Sequence, residues 1–183
     1  MPVTMQLKIP DLAVVALVGA TGSGKTTFAR QHFKPTEILS SDHCRGLVSD
    51  DDNDQRASDD AFDLLYTIAR KRLARRLLTV VDATNVQADS RRHVLALARE
   101  YHAIPVAIVL DVGAKLCLER TRNRFETAIE DCVAKGDLTH VKSPRAVASH
   151  LTNTLNGLGV LRGGGATDEE LDEVVDVALS VLE

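Results

Sequence analysis

A glycine-rich loop of eight residues limits what this chain can fold into more than any other feature of its sequence. The loop matches the pattern G-x-x-x-x-G-K-[ST] and reads Gly19-Ala20-Thr21-Gly22-Ser23-Gly24-Lys25-Thr26. The apolar run at 12–18 predicts a buried parallel strand before the loop, and a helix is predicted over 25–33, ahead of Pro35. A glycine-rich turn without a ligand is the structural alternative. The order of strand, loop and helix favours a site for a nucleoside triphosphate.

Each residue type in this loop has a physical part in holding phosphate. Glycines let the backbone wrap the triphosphate, and the helix N-terminus directs its amides at the anion. Lys25 is expected to reach the β- and γ-phosphates, and the Thr26 hydroxyl is expected to bind Mg²⁺. With Thr27 as the first residue beyond the pattern, Gly19 to Thr27 form the predicted nucleotide-binding segment.

The composition fits one α/β domain with an aliphatic core. The chain has 183 residues, 44% of them hydrophobic but only 3% aromatic. A net charge of −4 argues against a protein that coats nucleic acid electrostatically, although one strand end could still bind locally. The three cysteines, Cys44, Cys117 and Cys132, form no C-x-x-C pair, which predicts neither a zinc site nor disulfides. With no signal peptide or membrane span in the sequence, we expect a soluble cytoplasmic protein.

Apolar runs and helical segments alternate along the chain, which predicts a parallel sheet with crossover helices. The predicted strands are residues 12–18, 37–39, 78–81 and 106–110, with a weaker fifth at 159–161. The predicted helices are residues 25–33, 58–76, 89–102, 114–124 and 168–182. The acidic stretch 49–54 is interpreted as a flexible loop rather than a metal site. In such a sheet, ligands bind at the carboxyl ends of the strands.

A carboxylate and an arginine follow the second predicted strand. Asp42 could accept the proton of an attacking hydroxyl, and Arg45, three residues later, could bind a phosphate. The alternative is that Ser41 or Asp42 only caps the next helix. Position alone does not decide between the two.

The third predicted strand ends in Asp82, followed closely by Thr84 and Asn85. An acid at this place, beside a phosphate loop, is typical of the residue that orders the shell of a bound Mg²⁺. Thr84 and Asn85 could contact the loop or the substrate. Their structural alternative is capping of a turn by the asparagine side chain.

Arg120 and Arg124 lie four residues apart in a predicted helix and so share one face. Two guanidinium groups on one side could bind the phosphates of a nucleotide and stabilise charge during transfer. The alternative is a solvated basic face. We interpret another basic run, at 70–76, as such a face, because the chain offers few aromatic rings for bases to stack on.

Taken together, these motifs resemble the 5′-OH polynucleotide kinase module of bacterial polynucleotide kinase-phosphatase. The resemblance runs from Leu12 to Arg124 and rests on the order and spacing of the phosphate loop, Ser40-Ser41-Asp42 with Arg45, Val81-Asp82-Ala83-Thr84-Asn85, and the Arg120/Arg124 pair. It implies a single P-loop kinase domain over residues 1–183, with an adenylate-kinase-like parallel sheet and a helical lid at about 120–155.

The resemblance also implies an activity and a role for each motif. The γ-phosphate of ATP would pass, with Mg²⁺, to the 5′-hydroxyl end of RNA or DNA in nucleic-acid repair. Asp42 resembles the general base, and Lys25 with Thr26 the donor and metal groups. Arg45 resembles a contact to the acceptor phosphate, and Arg120 and Arg124 resemble lid arginines. Phosphatase and ligase modules of a larger repair protein are the implied partners, with no membrane.

Two other functions use the same loop. One is a P-loop kinase for the hydroxyl of a small metabolite or antibiotic, with the same Lys25, Thr26 and Asp42. The other is a nucleotide-binding module without phosphotransfer. The chain departs from the family after Arg124, where 125–131 is neutral to acidic instead of basic.

Overall fold

The computed structural model of this chain describes residues 7–182. The chain divides into two compact units, Met1–Val112 (unit 1) and Gly113–Glu183 (unit 2). The strands and the phosphate loop belong to unit 1, while the regular structure described in unit 2 is helical.

Unit 1 is an α/β P-loop fold with a four-stranded parallel sheet. The strand order is β2-β3-β1-β4, which confirms the predicted fold class. In chain order its elements are β1 (Ala13–Val18), α1 (Lys25–His32), β2 (Ile38–Ser40), α2 (Ser41–Ser49), α3 (Ser58–Ala74), β3 (Thr79–Asp82), α4 (Ala88–Glu100) and β4 (Ile104–Val109). Short 3₁₀ turns at Pro35–Glu37 and Gln55–Ala57 complete the unit. The four main strand predictions are confirmed to within two residues at each end.

The sheet is covered on both faces, which explains why its central strands read as unbroken apolar runs. Alternate residues of β1 enter different cores. Val14 packs with Leu65 of α3 and Leu97 of α4, all of them buried. Val15 and Leu17 pack with Ala29 of α1 on the other face.

One of the two edge strands of the sheet is β4, a strand without a polar side chain. The amides of Ile104 and Leu110 donate to Leu12 and Val18, so the even-numbered residues turn their backbone groups toward β1. Pro105 therefore occupies an outward position, where a strand can tolerate the missing N–H. Val109, at the end of the strand, is 64% exposed.

The described part of unit 2 contains three helices, α5 (Ala114–Lys135), α6 (Pro144–Gly163) and α7 (Asp168–Leu179), followed by a 3₁₀ turn at Ser180–Leu182. Gly136 ends α5 in the left-handed conformation, with φ 84°. Ser143 caps α6, and Pro144 occupies its first turn. Thr167 and Glu170 form a capping box at the start of α7.

The fifth strand predicted at 159–161 is wrong, because these residues lie in the last turns of α6. A strong start signal, Ser143 followed by Pro144, begins a helix that continues through Gly157 and Gly159. A Cβ at either glycine would meet nothing within 4 Å, so their presence reflects no close packing. The helix predicted at 114–124 is correctly begun but runs on to Lys135. No helix in residues 7–182 has the length and apolarity to cross a bilayer.

Candidate functional site

The phosphate loop joins β1 to α1 and depends on glycine at three positions. Gly22 and Gly24 have φ values of 81° and 93°, in the left-handed region that favours glycine. Gly19 is required for space, since a Cβ there would lie 2.6 Å from Ser23 Oγ and 3.0 Å from the Leu110 carbonyl oxygen. Gly24 is also the N-cap of α1, so the loop ends on the amides of a helix N-terminus.

Lys25 is held inside the loop by backbone oxygens. Its Nζ donates to the carbonyls of Gly19 and Ala20, each at 2.9 Å, and the residue is only 9% exposed. A cation is thereby fixed beside the amides that would receive phosphate. This arrangement suits an anionic ligand.

Asp82, the last residue of β3, is buried, and its surroundings bring four predicted site residues together. Burial raises the pKa of its carboxyl group, while a hydrogen bond from Thr26 and the charge of Lys25 lower that pKa, and the charge of Asp42 raises it. Asp82 also pairs in register with Ser40 of β2, two residues before Asp42. The phosphate loop and the Asp42 carboxylate therefore share one electrostatic neighbourhood.

The same residues fit a magnesium ion. Asp82 Oδ2 is buried without a hydrogen-bond partner among the described residues, and the other side of this carboxylate faces the Thr26 hydroxyl. A carboxylate and a hydroxyl are hard oxygen ligands of the kind that Mg²⁺ takes. Within residues 7–182 there is no cluster of three or more His, Cys, Asp or Glu side chains that could hold a metal. The protein would supply one or two oxygens, and phosphate and water the rest.

Asp42 and Arg45 form an ion pair near the start of α2. Arg45 Nη1 donates to Asp42 Oδ1 at 2.9 Å and to the Asp52 carbonyl at 2.7 Å. The Arg45 side chain is 7% exposed, whereas that of Asp42 is 70% exposed. The cap of the helix is Ser40, whose Oγ accepts from the His43 amide, so neither Ser41 nor Asp42 has the capping role weighed in the sequence.

The acidic segment after α2 folds against the helix. Ser49 Oγ contacts the carbonyls of Arg45 and Asp51, and the Asp51 carboxylate accepts from the Asn53 amide. The Asp52 carbonyl is one of the two anchors of Arg45. Sequence reasoning missed this anchor, since a backbone oxygen leaves no residue-type signal.

The loop after β3 connects the sheet to the phosphate loop. Asn85 is 1% exposed, has φ 47°, and its Nδ2 donates to the carbonyls of Leu17 and Ala83 at 3.0 and 3.3 Å. These contacts are those of the turn-capping alternative. Thr84 has an exposed side chain, and its carbonyl accepts from the Gly19 amide at 3.2 Å. Of these two, only Thr84 presents its side chain at the surface.

Arg120 and Arg124 lie on α5 of unit 2, and both are exposed. Their spacing puts them one turn apart on the helix. Arg124 lines an open groove of about 480 Å³ together with Asn123, Thr127, Ala128 and Asp131. The two arginines thus share a polar helix surface, as their four-residue spacing predicts.

The chain matches, from residue 14 to residue 141, a family model that is described as an AAA domain (AAA_33). The matched range contains the phosphate loop, Asp42, Asp82 and Arg124. No curated protein matches the chain.

Solved structures with the same fold include two of the Pnkp1/Rnl/Hen1 complex, the second described as an RNA repair complex. The first is 24% identical with a TM-score of 0.52, covering 63% of this chain and 40% of the other. The second is 25% identical with a TM-score of 0.55, covering 67% and 40%. The chain thus spans well under half of the chains that it matches there. A provisionally assigned kinase from Chloroflexus aurantiacus is 17% identical, with a TM-score of 0.51 and 78% coverage of both chains.

Proposed function

This chain belongs to the AAA_33 family of AAA domains and is a P-loop kinase, and we propose that it transfers the γ-phosphate of ATP to a 5′-hydroxyl end of RNA or DNA. One observation carries the proposal. Asp42 is an exposed carboxylate, oriented by a buried arginine, and it lies in the same electrostatic neighbourhood as Lys25, Thr26 and Asp82. A kinase needs such an acid on the acceptor side of its phosphate loop.

On the donor side, Gly19 to Thr27 would receive the triphosphate. The Lys25 ammonium, now on two loop carbonyls, would turn to the β- and γ-phosphates. Thr26 and Asp82 would hold Mg²⁺. When bound, that ion neutralises charge on the phosphates as transfer proceeds.

On the acceptor side, Asp42 would take the proton of the attacking hydroxyl. The hydroxyl oxygen would bond to the γ-phosphorus while the bond from that phosphorus to the bridging oxygen of ADP breaks. Arg45 keeps the Asp42 carboxylate in place through Nη1, and it would bind the phosphate next to the terminal nucleoside. Thr84 would complete the acceptor contacts with its exposed side chain, while Asn85, the other residue predicted there, would hold this loop through its Nδ2. The Arg45–Asp42 contact explains how an exposed base keeps one orientation.

Unit 2 would supply the lid at about 120–155, with Arg120 and Arg124 as ligands of the ATP phosphates. Similarity to Pnkp1 from an RNA repair complex supports RNA as the acceptor and further repair modules, a phosphatase and a ligase, as partners. Cys44, Cys117 and Cys132 are thiols rather than halves of disulfides, which supports work in the cytoplasm.

The second candidate is a kinase of a small hydroxyl compound, and the acidic loop favours it. Asp50, Asp51 and Asp52 follow α2, and the loop contacts Arg45 through the Asp52 carbonyl. The carboxylates of this loop would repel a polyanion and attract an acceptor that carries amines.

The test is transfer of labelled γ-phosphate from ATP with Mg²⁺ to a short 5′-OH oligonucleotide. We expect label on the 5′ end, and Asp42→Asn should lower the rate by about 10²–10⁴-fold, the usual contribution of a positioned base. Asp63→Asn, at an exposed site on α3, is the matched control and should be unaffected.

Two outcomes count against the proposal. If Asp42→Asn turned over as fast as the wild type, Asp42 would not be the general base. ATP binding without transfer to any oligonucleotide, but with transfer to an amine-bearing alcohol, would establish the second candidate.

A further inference from the structure

Arg91 on α4 has no role in the chemical steps of the proposed reaction, but its side chain contacts the loop after β3. Its Nη1 donates to the Asn85 carbonyl at 2.8 Å and to the Val86 carbonyl at 2.5 Å. The residue is half-buried. One guanidinium nitrogen thus fixes two successive carbonyls of the loop after β3.

The loop that Arg91 fixes is tied to the phosphate site at two further points. The Thr84 carbonyl accepts from the backbone amide of Gly19, and the side-chain amide of Asn85 donates through Nδ2 to the Leu17 carbonyl at the end of β1. Asp82 comes directly before this loop. A change in the path of the loop would therefore reach both the first glycine of the phosphate loop and the carboxylate proposed for the magnesium site.

The backbone here needs external support. Asn85 has φ 47°, a conformation that costs energy for residues other than glycine, although asparagine tolerates it better than most. Its side chain satisfies the carbonyls of Leu17 and Ala83, but its own carbonyl depends on Arg91. Without the arginine, this turn has fewer bonds to hold it in one conformation.

We propose that Arg91 is a positioning residue for phosphoryl transfer. It holds the loop after β3 so that Thr84 stays bonded to Gly19 and Asp82 stays beside Thr26. The assignment rests on the proposed function for its kinetic consequence, but its structural consequence at Gly19 is independent of any acceptor. Arg91 would contact neither the reacting atoms nor the nucleotide, and it acts through the backbone of the loop.

The neighbouring residue provides a matched control. Arg92 is exposed and pairs with Asp89 on its own helix. It has the same charge and the same helix, without the carbonyl contacts of Arg91. Arg92→Met therefore reports the general effect of removing an arginine from this part of α4.

The test compares Arg91→Met, Arg91→Lys and Arg92→Met at a temperature well below the melting point of each variant. We expect Arg91→Met to lower kcat by about 10²-fold, as small misplacements of a site do, with little change in the KM for ATP. Because one nitrogen serves both carbonyls, Arg91→Lys should restore most of kcat. Arg92→Met should match the wild type.

Hydrogen exchange gives a readout that needs no acceptor. The Gly19 amide should exchange faster in Arg91→Met, while the Val15 amide in the core of β1 should not. If wild type phosphorylates no oligonucleotide, the proposed function fails, and Gly19 exchange still decides the role of Arg91. Unchanged Gly19 exchange, or a loss of kcat that Arg91→Lys does not restore, would overturn the positioning role.

Discussion

The two units of this chain use their interiors differently. In unit 1, buried residues include polar groups whose contacts converge at the carboxyl ends of the strands, among them Asp82, Asn85 and Arg45. In unit 2, the buried polar residues Thr121 and Thr152 only return hydrogen bonds to the preceding turn of their own helices. Buried polar groups therefore indicate a functional site where they connect separate elements, whereas those bonded within one helix only satisfy local hydrogen bonding.

Among the described residues, unit 2 exposes as many large apolar side chains as the longer unit 1. Val160 on α6 and Val177 on α7 are 75% and 72% exposed. Its buried apolar residues, among those described, are five against nineteen in unit 1, namely Cys117, Ile129, Ala148, Leu171 and Ala178. On this basis, we expect unit 1 to be the more stable of the two and unit 2 to be the first to open.

The strongest challenge to this contrast would be a catalytic contribution from unit 2. If the arginines of α5 act in transfer, Arg124→Ala should lower kcat by about 10³-fold, since an arginine that stabilises the transferring phosphate contributes at least that much. Single-turnover transfer of γ-phosphate measures it. Lys135→Ala, on the last turn of the same helix, is the control. A loss in Arg124→Ala no larger than that of the control would leave all the chemistry to unit 1.

The variant Asn85→Ala tests whether a buried polar side chain of unit 1 holds separate elements together. Asn85→Ala removes the donor to the Leu17 and Ala83 carbonyls and leaves alanine at a positive φ. We expect the free energy of unfolding to fall by about 1–3 kcal/mol, the cost of buried groups left without partners. Urea denaturation measures this, with exposed Gln87→Ala as the control. A stable Asn85→Ala with weakened acceptor binding would instead assign Asn85 to the substrate.

The smallest expected effect tests whether unit 2 unfolds independently of unit 1. Thr167→Ala removes the N-cap of α7 and should cost about 1 kcal/mol. We expect faster amide exchange within α7 only, while exchange in β1 stays the same. Equal acceleration in β1 would show that the two units unfold together.

That effect should depend on pH. Hydrogen bonds from the Thr167 amide and hydroxyl lower the pKa of Glu170 below its usual 4.5. A lowered pKa in the folded state means that the capping box stabilises α7 above the ordinary pKa, and that this stabilisation is lost as the pH falls through the folded value. The difference between wild type and Thr167→Ala should therefore shrink on acidification. If the stability difference between the wild type and Thr167→Ala did not change with pH, the contribution of the Thr167 cap would not depend on the charge of Glu170.

Sequence patterns predicted unit 1 well because its signals are local and strong. The run before Gly19 is apolar on both faces, and the glycines of the loop are required by backbone geometry. Asp42, Thr26 and Asp82 could be expected at one edge, since parallel strands place their carboxyl ends together. That expectation agrees with the electrostatic coupling at Asp82.

Other features could not be predicted because their cause lies outside their own sequence. The predicted strand at 159–161 has the composition of a strand, yet the start signal that decides its state is Ser143, sixteen residues earlier. Arg91 sits in an ordinary basic stretch, and only the fold brings its side chain to the carbonyls of Asn85 and Val86. The carbonyl of Asp52 has no side-chain signal at all.

Pro105 affects the tendency of this protein to aggregate at high concentration. A six-residue apolar strand at the margin of a sheet is a template for another chain, and repeated pairing of this kind leads to insoluble polymers. By removing one of the outward-facing donors of β4, the proline leaves an incomplete ladder for an incoming strand. Replacing this one ring with an ordinary residue would complete that ladder and make the protein more prone to aggregate.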